Sequence, residues 1–201
     1  MTYFSSDFKL GILGGGQLGK MMLTETRKFD IQTYVVDPSS EAPCQFGATK
    51  FFQGSLNDYQ TVMDLGNQVD VLTIEIENVN LEALEALEAA GKKVYPSPKT
   101  LRLISNKGNQ KDFYIQHNVP TAPYKRFATL QALKDEVNKG NIEMPFVWKA
   151  TEGGYDGNGV KVVRKIEDLN TLPETECIAE TMIPFKNELA VIVARSESGE
   201  I

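Results

Sequence analysis

Short apolar runs alternate with helical patterns through the first half of the chain. Residues 9–14 (KLGILG) predict a buried strand, followed by a glycine turn and a helix over about 17–29. Residues 32–37 (QTYVVD) predict a second strand, 50–53 a short third, 57–66 a helix and 69–75 (VDVLTIE) a fourth strand. Residues 80–91 carry the periodic run LEALEALEAAG, a helix closed by its glycine, and Val94 and Tyr95 begin a fifth strand that stops at Pro96 and Pro98. Strands alternating with helices of this length imply right-handed βαβ units around a parallel sheet.

The pattern then changes. Pro96-Ser-Pro98 marks a boundary, giving one domain over 1–98 and a second over 99–201. Residues 100–117 predict one or two helices ending before Pro120. Beyond Pro123, strand-like segments follow at 124–127, 146–149, 160–163 and 176–180, without long helices between them. Residues 189–195 and those after Gly199 predict a hairpin, since Ser-Glu-Ser-Gly is turn chemistry. Its second strand is so short that the chain is expected to be part of a longer protein. The fold class is α/β: a Rossmann-like parallel-sheet domain, then the start of an α+β domain.

Composition narrows the function. With 201 residues, 41% of them hydrophobic and 24% charged, the chain has enough apolar mass for a packed core. A net charge of −6 argues against a broad nucleic-acid surface, so no nucleic-acid partner is expected. A local phosphate pocket of backbone amides and one or two lysines remains open. Cys44 and Cys177 lack metal-ligand spacing and predict buried free thiols in a reducing cytosol. No apolar run approaches the ~20 residues of a membrane helix, and residues 1–7 lack a secretion signal. The expectation is a cytoplasmic protein with no membrane partner.

Two glycine loops carry the candidate chemistry. Gly14-Gly-Gly16-Gln17-Leu-Gly19 fits G-x-G-x-x-G between a predicted strand and a predicted helix, and Asp37 ends the next strand where a ribose-binding acid is expected. Glycines let the backbone approach an anion that a helix amino terminus favours. Read alone, the loop fits a dinucleotide-binding dehydrogenase and a ligand-free strand-to-helix turn equally well.

The second loop is more specific. Phe146-Val-Trp-Lys149-Ala-Thr-Glu-Gly153-Gly154-Tyr155-Asp156-Gly157-Asn158-Gly159-Val160 sets a lysine at the end of an apolar strand, then four glycines, then another apolar strand. Such a hairpin can fold over a triphosphate and donate backbone amides, while the lysine adds a point charge at the α-phosphate. The plain alternative is a flexible hairpin tip, since Asp-Gly and Asn-Gly are hairpin turns. The Walker pattern is absent.

Lys-x-x-x-Gly-Gly-Tyr-Asp-Gly-x-Gly resembles the lid loop of the ATP-grasp carboxylate–amine ligases, and its GGYDG form is similar to that of the 5-(carboxyamino)imidazole ribonucleotide synthases among them. GGGQLGKM at 14–21, TIEIENV at 73–79 and SNKGNQKDFYIQHNVPTAPY at 105–124 agree, so the resemblance runs from Lys9 to Arg195. It implies a pre-ATP-grasp domain followed by the lid subdomain and first hairpin of an ATP-grasp domain. The implied reaction is ATP- and bicarbonate-dependent carboxylation of 5-aminoimidazole ribonucleotide, by way of carboxyphosphate. Other ATP-grasp ligases, such as a formate-using ribonucleotide transformylase or a biotin carboxylase, and a non-catalytic nucleotide-binding module are the alternatives.

By the same resemblance, Lys107 and Lys149 hold the ATP phosphates, and Gly154, Tyr155, Asp156, Gly157, Asn158, Gly159 and Val160 form the lid. Tyr155 and Asp156 also face the acceptor, as the candidate catalytic pair. Glu180, Thr181, Met182 and Ile183 line the adenine, and Glu188 accepts the ribose hydroxyls. Gly16, Gln17, Glu75 and Glu77 are the acceptor-binding candidates, with Glu77 first. The alternation T-I-E-I-E puts both carboxylates on one strand face, opposite Ile74 and Ile76. Mg²⁺ is implied, with its ligands expected beyond residue 201, and a homodimer built largely from parts outside this chain. Glu152 stands where many relatives carry a basic residue, Val160 where glutamine is frequent, and position 107 is arginine in some. With His117 as the one histidine, no Ser/His/Asp or Cys/His set supports covalent catalysis.

Overall fold

The computed structural model describes residues 6–153, 159–196 and 198–201. The chain divides into two units, Met1–Phe113 and Tyr114–Ile201.

In the first unit, strands β1 (Lys9–Leu13), β2 (Gln32–Asp37), β3 (Lys50–Gln53), β4 (Val71–Ile74) and β5 (Lys93–Tyr95) form one sheet in the order β3-β2-β1-β4-β5. Every pairing in it is parallel. The alternation of side chains along a strand sends successive apolar residues to opposite faces. Leu13, Tyr34 and Val36 join a core with Leu65, Leu84 and Leu87, whereas Ile12 and Val35 join Leu23 and Cys44 on the other side.

The helices of this unit are α1 (Gln17–Thr26), α2 (Tyr59–Gln68), α3 (Leu81–Ala89), α4 (Pro98–Ile104) and α5 (Lys107–Gln116). Most begin where a side chain takes up an orphan amide. Asp58 accepts from Thr61 N at 2.8 Å, Asn80 from Ala83 N at 2.8 Å, Ser97 from Thr100 N at 3.2 Å and Asn106 from Asn109 N at 3.0 Å. Gly91, at φ 86°, ends α3 as its sequence promised. The expected stretch over 100–117 is two helices, α4 and α5.

In the second unit, β6 (Tyr124–Phe127), β7 (Phe146–Ala150), β8 (Val160–Val163) and β9 (Cys177–Thr181) make an antiparallel sheet in the order β6-β9-β7-β8. Phe146, Trp148 and Ala150 point to the core, packed with Val163, Leu169, Cys177 and Ala179. Val147 and Lys149 therefore take the other face.

A helix that the sequence reading did not expect, α6 (Leu130–Asn138), lies between β6 and β7. Leu130, Leu133 and Val137 recur at helical spacing and enter the core, and Thr129 caps the helix by accepting from Ala132 N at 3.1 Å. The hairpin expected over 189–195 also differs. Its tip is present, with Gly199 N bonded to Ser196 O at 3.0 Å and Ser196 N to Glu200 O at 2.9 Å. Yet 189–195 form no strand, because no described segment lies alongside to pair with their backbone groups. Among the described residues, no helix is long and apolar enough to cross a membrane.

Candidate functional site

The first glycine loop joins β1 to α1 at the carboxyl edge of the parallel sheet, where open α/β sheets hold ligands. Its amides are already engaged. Gly14 N donates to Val36 O at 2.9 Å and Gly15 N to Asp37 Oδ2 at 2.8 Å. Gly16 N donates to Glu75 Oε2 at 3.1 Å and Leu18 N to Glu75 Oε1 at 3.2 Å. Two carboxylates of the chain itself thus occupy the positions where a pyrophosphate would take its hydrogen bonds. The glycines serve that internal closure: a Cβ on Gly16 would lie 2.5 Å from Glu75 Oε1, and one on Gly14 2.8 Å from Glu75 Oε2.

The TIEIE segment is corrected by the same geometry. β4 ends at Ile74, and 75–77 bend away. One further ladder bond, Glu75 N to Leu13 O at 2.7 Å, carries the chain to the loop. Glu75 and Glu77 therefore do not share a strand face. Glu75 is half-buried against the loop and Glu77 is exposed. The alternation persists in the letters but not in the backbone, because Glu75 satisfies the start of α1. Gln17, the first residue of α1, is exposed.

Cys44 packs under this loop, its amide bonded to Gly15 O at 2.9 Å. Burial, then the charges of Glu75 and Asp37, push its thiol up to about 11. Cys177, buried in the second core, is likewise pushed up to about 11, chiefly by burial. Both are free thiols.

In the second unit the strand register builds a charged pair. Lys149 lies opposite Ile178, so Glu180, two residues along β9, shares its face of the sheet. Lys149 Nζ and Glu180 Oε2 stand 2.5 Å apart, with side chains 27% and 6% exposed. Lys149 also faces Val160 across the β7–β8 hairpin, and Ala150 N bonds Gly159 O at 2.9 Å. Gly153 and Gly159 take left-handed backbone, φ 71° and 73°, at the two ends of the loop. Gly154, Tyr155, Asp156, Gly157 and Asn158 lie outside the described residues.

Beyond Thr181, the last residue of β9, the predicted adenine segment leaves the sheet. Thr181 N still bonds Pro123 O at 2.8 Å, while Met182 is half-buried and Ile183 exposed. An open cavity of about 580 Å³ adjoins it, lined in part by Tyr124, Met144, Phe146, Glu180, Thr181 and Met182. Glu188 is exposed on the irregular segment that follows. Lys107 is the first residue of α5 and belongs to the first unit. The structure brings Lys149, Glu180 and Val160 onto one sheet, and leaves Glu188 apart from them in secondary structure.

Sequence reasoning missed the Lys149–Glu180 pair and the double engagement of Glu75. The first is visible in hindsight as a lysine and an acid on antiparallel strands. The second joins residues 59 positions apart, and no local pattern announces it.

Residues 8–105 match the ribonucleotide synthetase preATP-grasp domain, and residues 112–201 match the ATP-grasp domain. The chain is 36% identical to phosphoribosylaminoimidazole carboxylase of Ogataea methanolica, over 96% of this chain and 36% of the relative. It is 34% identical to N5-carboxyaminoimidazole ribonucleotide synthase of Bacillus subtilis, over 96% of this chain and 51% of the relative. Among solved structures, the N5-carboxyaminoimidazole ribonucleotide synthetase of Thermotoga maritima superposes with a TM-score of 0.86 at 34% identity, over 96% of this chain and 51% of that one. The N5-carboxyaminoimidazole synthase of Aspergillus clavatus, solved with ADP and 5-aminoimidazole ribonucleotide, gives 0.80 at 30% identity, over 92% and 48%. The chain spans between about a third and a half of the length of these relatives. With residues 8–105 of the ribonucleotide synthetase preATP-grasp type and residues 112–201 of the ATP-grasp type, the chain belongs to the ATP-grasp family.

Proposed function

We propose that the chain forms the acceptor-side domain and the ATP lid of a ligase that carboxylates the exocyclic amine of 5-aminoimidazole ribonucleotide, using ATP and bicarbonate. The observation that carries this reading is the placement of Lys149. It stands on the second unit's sheet at the root of the glycine hairpin, paired with Glu180, which lines a cavity of about 580 Å³, a size suited to a small ligand. The closed first loop supports the same reading from the other side, since Asp37 and Glu75 hold amides that a dinucleotide would need.

In this mechanism a bicarbonate oxygen attacks the γ-phosphorus, and the bond to the β-phosphate oxygen breaks, giving carboxyphosphate and ADP. The acceptor amine then attacks the carboxyl carbon. The bond from that carbon to the phosphate oxygen breaks, and inorganic phosphate and the amine proton depart. No side-chain nucleophile is required, so the protein's part is to position the reactants and neutralise charge. Lys149 and Lys107 offset phosphate charge, and Gly159 and Val160 carry the end of the lid. Glu180, Thr181, Met182 and Ile183 border the adenine, and Glu188 accepts from the ribose. Gly16, Gln17 and Glu77 lie on the acceptor's side, with Glu75 fixing the loop that presents them. Tyr155 and Asp156, which lie outside the described residues, are the proposed acceptor-facing pair by the family resemblance.

Mg²⁺ accompanies the nucleotide in the family resemblance. The described residues bring no group of three or more His, Cys, Asp or Glu together, so no step is assigned to the metal. The reading makes the protein a cytoplasmic, homodimeric enzyme of purine biosynthesis.

The acceptor is tested by calorimetric titration of the chain with 5-aminoimidazole ribonucleotide, glycinamide ribonucleotide and biotin in turn. Binding of the aminoimidazole nucleotide in preference to the other two is expected. A preference for either alternative would move the chain to another ATP-grasp ligase.

A further inference from the structure

One ammonium in the second unit has two claims on it. Lys149 Nζ stands 2.5 Å from Glu180 Oε2, yet the proposed function gives the same group to a phosphate. Both partners sit within the hydrogen-bonded sheet, Lys149 on β7 and Glu180 on β9. Ile178 separates Lys149 from Arg126 along one row, since both lie opposite it. Arg126 is held by Glu176 at 2.7 Å, so the second cation of this row is committed to a different acid.

The two members of the pair differ in what they can do when they separate. Lys149 is 27% exposed and carries its charge on a flexible four-carbon stem, so it has room to turn outward. Glu180 is 6% exposed, and a buried carboxylate that loses its cation is strongly destabilised. Glu180 also lines the cavity of about 580 Å³, beside Thr181 and Met182 of the segment assigned to the base. A base that sets an exocyclic amine against Glu180 returns the hydrogen-bond donor that Lys149 withdraws. A base with a carbonyl oxygen there returns none and sets acceptor against carboxylate.

We propose that Glu180 is a specificity-determining residue that couples the two ends of the nucleotide: it yields Lys149 to the phosphates when an amine-bearing purine takes the lysine's place. The inference rests on the nucleotide reading above and deepens it, by making base and phosphate binding one linked event. Such linkage is reciprocal, so base and phosphate each raise the affinity for the other by the same factor.

Calorimetric titration of the 201-residue chain with pyrophosphate, alone and in the presence of adenosine or of inosine, tests it. Inosine differs from adenosine by an oxygen in place of the exocyclic amine. Adenosine should raise pyrophosphate affinity by roughly tenfold, within the usual range of coupling between sites, and inosine should not. ATP should correspondingly bind roughly tenfold more tightly than ITP. E180Q keeps an acceptor for Lys149 without the charge, and its amide can also donate to a carbonyl. In that variant pyrophosphate should bind more tightly than to the native chain, a gain that mere structural damage would not produce. The adenosine effect and the preference for ATP over ITP should both shrink to within about twofold, below the usual range of coupling. ATP binding with equal affinity for ITP, and pyrophosphate indifferent to adenosine, would overturn the inference while sparing the nucleotide reading. Coupling that persists in E180Q would also overturn it. A native chain that binds no ATP would overturn both.

Discussion

The carboxylate of Glu75 accepts the amide of Gly16 at 3.1 Å, and it fits only because position 16 carries no Cβ. The φ of Gly16 is −75°, which any residue can adopt, so the glycine is required for close approach rather than for backbone freedom. Gly16→Ala should therefore destabilise the chain by about 1–3 kcal/mol through overpacking alone. In a Glu75→Ala background the added methyl should cost less, giving a coupling of at least ~0.5 kcal/mol. Urea denaturation of the four chains measures it. Strict additivity would mean that the loop does not close on Glu75.

Lys149 and Glu180 predict a second asymmetry. Lys149→Ala leaves a carboxylate that is 6% exposed without its lysine. Breaking a buried pair from one side costs about 3–5 kcal/mol, and the 27% exposure of Lys149 puts the expected loss at the lower end. Lys149→Ala with Glu180→Gln should recover most of it, as read by the urea midpoint. Nucleotide affinity is then best compared between Glu180→Gln and the double variant, where loss of the lysine should weaken ATP by about tenfold or more. Lys111→Ala should leave ATP affinity unchanged.

The two acids of the TIEIE segment should behave differently. Glu77→Gln should weaken binding of the aminoimidazole nucleotide without moving the thermal midpoint, because Glu77 is exposed. Glu75→Gln should lower the midpoint, because its oxygens hold the Gly16 and Leu18 amides. Titration calorimetry and thermal melts together decide. An unchanged acceptor affinity in Glu77→Gln would return that residue to the solvent.

The thiols give a pH dependence. Both Cys44 and Cys177 are raised from 9.0 to about 11 by burial first, so the folded chain holds their protons more tightly than the unfolded one. Their contribution is fully present below pH 9 and is lost as pH rises from about 9 to about 11. The thermal midpoint should fall across that window, and more shallowly in a chain with both cysteines changed to alanine. In the native chain at pH 8, a thiol-specific disulfide reagent should react only as fast as the protein opens. Immediate reaction of either cysteine would contradict the burial assignment.

The parallel sheet was legible because each strand is an apolar run bounded by turn residues, and LEALEALEAAG announced α3 with its closing glycine. Helix α6 escaped because LQALKDEVN is mostly polar. Its three buried apolar residues and Thr129 cap mark a helix only once the sheet they cover is known. The segment 189–195 has the composition of a strand, but a strand is a paired object, and composition does not supply the partner. The first glycine loop was ambiguous for a related reason. G-x-G-x-x-G fixes a backbone shape, and whether its amides meet a ligand or an internal carboxylate depends on Glu75, 59 residues away. Lys149, by contrast, was legible as a ligand candidate because strand, lysine and glycine loop are contiguous.

The central claim is that this chain takes its nucleotide on the lid sheet at Lys149 and not on the first glycine loop. Isothermal calorimetry with ATP and with NADH tests it most directly. The account predicts ATP binding that is weakened when the Lys149→Ala change is added to Glu180→Gln, and no heat with NADH. Micromolar binding of NADH with no binding of ATP would contradict it.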